Sequence, residues 1–172
     1  STGGQPNTRV SLSELLSDAM AKTPALIAAE LGGTIVTPGT YFSNSLTIAA
    51  NTVVTLKGGP NDIFIFQSST TFVAGAGTSF LLLDASNNPS TAANGVQAKN
   101  ILFAVHAAAT VGAGSTIEGS ILAGAAITVG AASHVTGIVL AAAAINFGAA
   151  SFINEANIID STASPFLSPV KT

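Results

Sequence analysis

The sequence predicts a mostly β protein, a three-faced β-solenoid with one α-helix packed along one face, and three observations carry the prediction. The first is a repeat. The segments Ala109 to Ile117, Ile127 to Val135 and Ile145 to Ile153 align without gaps on Gly112, Gly130 and Gly148, a period of 18 residues. Self-similarity at a short fixed period marks an architecture of stacked units. The second is the pattern inside each repeat. Branched apolar residues alternate with small or polar ones, as in strands with one side in a core, and Gly and Ala stand where a coil must turn. The third is a single helix signature near the N-terminus.

That helix comes first in chain order. Ser11-Leu12-Ser13-Glu14 reads as a capping box, and Leu12, Leu15, Leu16 and Met20 follow at helical spacing. Thr23 and Pro24 suit the start of a second set of turns over about 24–30, ended by Gly32-Gly33. The helical region is therefore placed at about 11–30. Coils follow over about 34–155 and a tail over 156–172, all within one domain spanning 1–172. The runs Ile101-Leu102-Phe103, Ile121-Leu122-Ala123 and Val139-Leu140-Ala141 keep nearly the same step, the first lying two residues further from its glycine. Earlier strands are less regular: Leu46 to Ile48, Thr52 to Val54, Phe64 to Phe66 and Phe80 to Leu82. Asp84 to Gly95, rich in Ser, Asn, Pro and Thr, reads as a loop inserted into one coil.

Composition narrows the function. Only 8% of the 172 residues are charged and the net charge is −3, so the basic footprint that nucleic acid requires is missing. The apolar runs are interrupted, Ile121 to Ala132 by Thr128 and Ile138 to Phe147 by Asn146, well short of the roughly 18–20 residues of a spanning helix. No membrane role is expected. There is no Cys, which removes disulfides and thiolate metal sites. The chain opens at Ser1 and shows no signal peptide.

The strand alternation separates the faces. Leu122 and Leu140 belong to strands apolar on both sides, and the helix is the expected cover for them. In the next strand Ile127 and Val129 point inward, so Ala126 and Thr128 point outward. Ala108 and Thr110 do so one coil back, and Ala144 and Asn146 one coil on, with Thr47 and Thr71 extending the ladder. Strands about 4.8 Å apart, with outward residues about 6.7 Å apart along each, give a two-dimensional grid of small groups. On the third strand Thr116, His134 and Phe152 point outward, then Glu118, Thr136 and Asn154, a less uniform face.

Five segments in order carry a family resemblance: Leu31 to Tyr41, Asn61 to Gln67, Ala98 to Phe103, Ile117 to Ala123 and Val135 to Ala141. Over roughly residues 12–155 the chain resembles the widespread microbial ice-binding proteins, with their discontinuous right-handed β-solenoid and a helix packed alongside. The resemblance implies a secreted, monomeric antifreeze protein. It implies adsorption to the ice crystal surface through a flat solenoid face away from the helix, with no catalytic centre, cofactor or metal. Some members carry a Thr-Ala/Gly-x-Thr/Asn motif on that face. The matching positions are Ala49 to Thr52, Ala76 to Ser79, Ala113 to Thr116, Ala131 to His134 and Ala149 to Phe152, with Ala in place of the first Thr throughout. Two faces are thus candidates. One is the ladder of Thr47, Thr71, Ala108, Thr110, Ala126, Thr128, Ala144 and Asn146, which is favoured. The other carries Thr52, Ser79, Thr116 and Thr136. Two further departures are that the family usually carries a region ahead of the helix, and that Phe103 stands where a Trp is common.

The physics of such a partner agrees with the grid. Ice offers neither pocket nor charge, so a protein that recognises it needs a rigid, flat array whose ordering costs nothing on binding. Chemistry of other kinds is thin. Asp62, Asp84, Glu118, Glu155 and Asp160 are scattered, Glu118 and His134 make at most an incidental pair, and His106 reads as structural. Gly75-Ala-Gly77 and Gly112-Ala-Gly114 lack the Lys of a phosphate loop. Asn61-Asp62 has no acidic set at calcium spacing. The alternative of a cell-surface adhesin or structural solenoid module would tolerate irregular outward residues. A polysaccharide-binding solenoid would need aromatics, and there is one Tyr and no Trp.

Overall fold

The computed structural model describes residues 21 and 23–154, and within them the chain winds through three sheet positions in turn. The first circuit contains β1 (Ala25–Leu26) and β2 (Ile35–Val36). The second contains β3 (Gly39–Ser43), β4 (Leu46–Ile48) and β5 (Val53–Lys57); the third, β6 (Phe64–Ser68), β7 (Phe72–Ala74) and β8 (Ser79–Leu83). A loop and a 3-10 turn, Ala98–Asn100, lead to the fourth, β9 (Ile101–Val105), β10 (Ala109–Val111) and β11 (Thr116–Glu118). The fifth is β12 (Ser120–Ala123), β13 (Ile127–Val129) and β14 (His134–Thr136), and the sixth β15 (Val139–Ala141), β16 (Ile145–Phe147) and β17 (Phe152–Asn154).

Every pairing between these strands is parallel and joins a strand to its counterpart one circuit away. The first face is a six-stranded sheet in the order β1-β3-β6-β9-β12-β15, and the second a five-stranded sheet in the order β4-β7-β10-β13-β16. The third face is formed by β2-β5-β8 and β11-β14-β17, joined where the Thr116 amide donates to the Thr78 carbonyl at 2.8 Å. The six-stranded order runs without interruption, so among the described residues the stack is continuous.

The core lies between the three faces. Leu46, Ile48, Phe72 and Val111 reach it from the second face, Val54, Leu56, Ile117 and Val135 from the third, and Phe66, Phe103 and Ile121 from the first. Identical register stacks like on like. Tyr41, Phe66 and Phe103 form a ring ladder with centroids 5.8 and 5.0 Å apart, and Phe72 closes on Phe103 at 4.6 Å. Ile65, Leu102 and Leu122 point the other way and are also buried, so the central strands β6, β9 and β12 are shielded on both sides, as their doubly apolar sequence requires.

The predicted helix needs correction over 24–30. Pro24 precedes β1, whose Ala25 and Leu26 pair with Tyr41 and Phe42, and the chain then runs extended. The Ile27 amide donates to Phe42, that of Thr47 to Ala29 and that of Leu31 to Thr47, at 2.7–2.9 Å. An open edge of parallel sheet offers donors and acceptors that outweigh the modest helix preference of an Ala-rich stretch. The part of the predicted helix over 11–22 lies outside the described residues, as does the tail over 156–172. A second correction concerns the repeat. Ile121 pairs with Phe103, so Phe103-Ala104-Val105, and not Ile101 to Phe103, is the counterpart of Ile121 to Ala123, and the 18-residue step is kept through the last three circuits.

The corner between the second and third faces is built from one repeated device. Gly33, Asn51, Gly77, Gly114, Ala132 and Ala150 each stand in the left-handed region, with φ between 56° and 78°. The residue after each is Thr34, Thr52, Thr78, Ser115, Ser133 or Ser151. Thr34, Thr52 and Ser151 turn back to carbonyls of Leu31, Ala49 and Gly148 at 2.6–2.8 Å. Ser115 and Ser133 reach one circuit back, to Gly75 at 3.0 Å and Gly112 at 2.8 Å, and accept weakly from the amides of Thr78 and Ser115 at 3.3 Å. Thr78 sits where the two patterns meet, and its buried hydroxyl has no partner.

Candidate functional site

The five-stranded face carries the favoured candidates. Its register places Thr47, Val73, Thr110, Thr128 and Asn146 in one outward row. Thr71, Ala108, Ala126 and Ala144 form the row before it, their carbonyls accepting from the amides of Leu46, Phe72, Ala109 and Ile127 one circuit back. A third row is Ala49, Gly75, Gly112, Gly130 and Gly148. A methyl on Gly130 would sit 2.6 Å from the Ala113 nitrogen, so here the backbone itself is the surface. The strand ladder fixes every outward Cα, and no outward side chain in these rows is longer than Asn.

Thr71 thus joins the ladder in the row of Ala108 and Ala126, and Val73 is the strand counterpart of Thr47 and Thr110, because the connection from β3 to β4 is one residue shorter than that from β6 to β7. Thr110, Thr128 and Asn146 are exposed, and the hydroxyls of Thr110 and Thr128 make no hydrogen bond among the described residues. Thr47 differs: its hydroxyl donates to Glu30 Oε2 at 3.0 Å. Glu30 bridges to Thr47 at the end of the sheet, and its carboxylate also accepts from the amides of Ala49 at 2.8 Å and Gly32 at 2.6 Å. Slight burial pushes against ionisation, but these three hydrogen bonds prevail and hold the carboxyl below its usual range. Glu30 was not legible as a site residue, since its role depends on pairing with residues far along the chain.

The second candidate set does not form one surface. Thr52 is a corner residue, its hydroxyl committed to the Ala49 carbonyl at 2.6 Å. The match of Ala49 to Thr52 with Ala76 to Ser79 is one residue out of step, as Val53 is the outward counterpart of Ser79. The row through Ser79 reads Val53, Ser79, Thr116, His134, Phe152, with the last two rings packed edge to face at 5.6 Å. Thr136 donates to Glu118 at 3.4 Å. Glu118 thus pairs with Thr136 and His134 with Phe152, not with each other. Burial raises the Glu118 carboxyl above its usual value, and the Thr136 hydroxyl only partly offsets it. Ile35 and Leu81 are exposed nearby, so this face is bulky and uneven.

Among the described residues no group of His, Asp and Glu is arranged to hold a metal ion. His106 is exposed at a corner, not within a strand, and Asp62 closes a turn by accepting from the Gly59 amide at 2.7 Å.

Parallel coils with one charge-poor face of Thr, Ala and Gly, broken by Val73 and Asn146, define a class of rigid surface-presenting β protein, and comparison with known proteins places it. The sequence matches the Ice-binding-like family over residues 7–152, and the chain belongs to that family. It is 38% identical to an ice-binding protein of Lentinula edodes over 93 residues, 54% of this chain and 29% of that protein. It is 35% identical to one of Nostoc sp. (strain HG1) over 99 residues, 57% of this chain and 33% of that one. The aligned stretch thus spans about a third of these relatives' length. The fold is similar to that of the Shewanella frigidimarina ice-binding protein, with a TM-score of 0.70, 22% identity, and coverage of 83% of this chain and 59% of that one.

Proposed function

We propose that this chain binds ice, and that the five-stranded face is the surface that adsorbs to the crystal. The observation that carries the reading is the three-row grid. Its rows of Thr, Ala and Gly, with Val73 and Asn146 in the central one, lie on a backbone whose every strand is fixed by parallel pairing, with one carboxylate at its extreme end. Such a plate holds methyl and hydroxyl groups at strand spacing without loss of side-chain freedom on contact. Family membership supports the same reading. The third face, with His134, Phe152 and Leu81 projecting from it, is unsuited to a flat crystal.

The rest of the reading follows from this. The coils wind right-handed, as parallel crossover connections do. The chain acts as one domain and as a monomer, outside the cell, without catalysis, inhibiting ice growth and recrystallisation by covering the crystal.

The test is growth of an ice hemisphere in fluorescently labelled protein. Incorporation of label and shaping of the crystal are expected from the parent chain. Thr128→Tyr places a ring in the middle of the grid and should abolish incorporation with thermal unfolding nearly unchanged, whereas Thr116→Tyr should leave incorporation intact. Loss with Thr116→Tyr and not with Thr128→Tyr would move the site to the third face. A clear hemisphere from folded parent would remove the ice reading.

A further inference from the structure

The inserted loop between β8 and β9 contains the one Asn-Gly pair in the sequence, Asn94-Gly95. Its geometry is centred on Asp84, a buried carboxylate. Asp84 Oδ1 accepts from the amides of Ser86 and Asn88, both at 2.8 Å. Its Oδ2 accepts from the side-chain amides of Asn88 at 3.2 Å and Asn94 at 3.0 Å. Hydrogen bonds from Asn88 above all, then from Ser86 and Asn94, outweigh burial and hold the carboxyl below its usual range. Asn94 is the most distant of these donors in sequence, and its bond closes the loop onto its own beginning.

Asn94 is exposed; Gly95 is buried against Ser90 but adds no Cβ of its own beside its backbone nitrogen. That nitrogen makes no hydrogen bond among the described residues, although its neighbours Asn94 and Val96 do, to Thr91 and Leu83. We infer that Asn94 is a site of spontaneous deamidation, and that its conversion releases the loop from Asp84. The Gly95 nitrogen attacks Asn94 Cγ. A new N–Cγ bond forms, the Cγ–Nδ2 bond breaks, and the Gly95 amide proton leaves with the departing ammonia. Water then opens the cyclic imide at either carbonyl, giving aspartate or isoaspartate. Asparagine is among the chemically labile residues, and here a missing Cβ and an uncommitted nitrogen coincide.

The product reverses the local electrostatics. A donor at 3.0 Å from Asp84 Oδ2 becomes a second carboxylate, and two like charges at that distance repel. Asn88 cannot compensate, as it already donates to the same oxygen. The loop lies off the five-stranded face, so the change touches loop order and leaves the flat grid as it was.

The experiment is incubation of the folded chain in mildly alkaline buffer, followed by site-resolved mass spectrometry and limited thermolysin digestion. Amide-to-acid conversion is expected at Asn94 before any other described asparagine, together with new cleavage within 84–97. Fresh Asn94→Asp should show that cleavage at once, and Asn94→Gln should resist both changes over the same period. Earlier conversion at Asn44, Asn51 or Asn61 would overturn the assignment of the site. Conversion at Asn94 without new cleavage, repeated by an unaltered Asn94→Asp, would overturn the release of the loop.

Discussion

At Ala132 and Ala150 the backbone has φ of 56° and 57°, where Gly33, Gly77 and Gly114 stand in equivalent corners. Alanine there brings its Cβ against the following carbonyl, a cost that glycine avoids and asparagine, as at Asn51, tolerates. The corner is imposed by the circuits on either side, so the strain is held in place by the stack. Ala132→Gly should therefore stabilise the fold by about 0.5–1 kcal/mol, after the greater freedom of glycine in the unfolded chain is counted. Urea unfolding of the two proteins checks it; a loss of stability would show that the methyl makes a contact outweighing the strain. Individual residues were also where sequence reading did best and worst. Thr110, Thr128, Asn146 and their Ala partners are on one face, as alternation within three aligned repeats required. Thr52 was misplaced because Asn51 replaces the corner glycine there, hiding the step between Asn51-Thr52 and Gly77-Thr78.

Among the elements, Ser115 and Ser133 of the corner column tie coils together outside the strands. Ser133 donates to the Gly112 carbonyl of the previous circuit and accepts from the Ser115 amide. Removing it leaves the buried Ser115 amide and the half-buried Gly112 carbonyl short of partners. Ser133→Ala is expected to cost about 1–3 kcal/mol, within the range for an unsatisfied buried group. The same substitution at the exposed Thr110 should be nearly silent in thermal unfolding. This column is partly visible in the sequence as Ser115, Ser133 and Ser151 at equal spacing, but the partners of Ser115 and Ser133 lie a circuit away and leave no local mark. The strands of 101–154 were legible because equal coils repeat their pattern. Those before 84 were legible only as apolar runs, since circuits of unequal length conceal the register. The segment 24–30 was misread because its partners, Tyr41, Phe42 and Thr47, are supplied by the next circuit and local preference carries no trace of them.

Over the whole molecule, few charges leave acid stability to a small number of carboxyls. Glu30 and Asp84 are held below their usual range, so the stability they contribute is full above the unfolded values and is lost as pH falls through the folded ones. Glu118 acts in the opposite sense. Its raised value means that folding is disfavoured while it is ionised, and stability is regained as pH falls through the folded value toward 4.5. Glu118→Gln should therefore raise the melting temperature at neutral pH and converge with the parent in acid. Calorimetry across that range decides it, and a melting temperature lowered at neutral pH would mean that the Thr136 contact outweighs the burial.

The last three circuits each consume 18 residues and return to the same column of Cα atoms. The molecule is in this sense graduated like a ruler. Insertion or deletion of a whole coil shifts the far edge of the plate by one strand spacing, about 4.8 Å, and leaves every other mark where it was. An insertion of any other size would have to be carried by a loop, as it is over 84–97, or it would turn threonine inward and valine out. The reach of the plate is thus a matter of whole-number arithmetic in the gene, adjustable without redesigning a single contact.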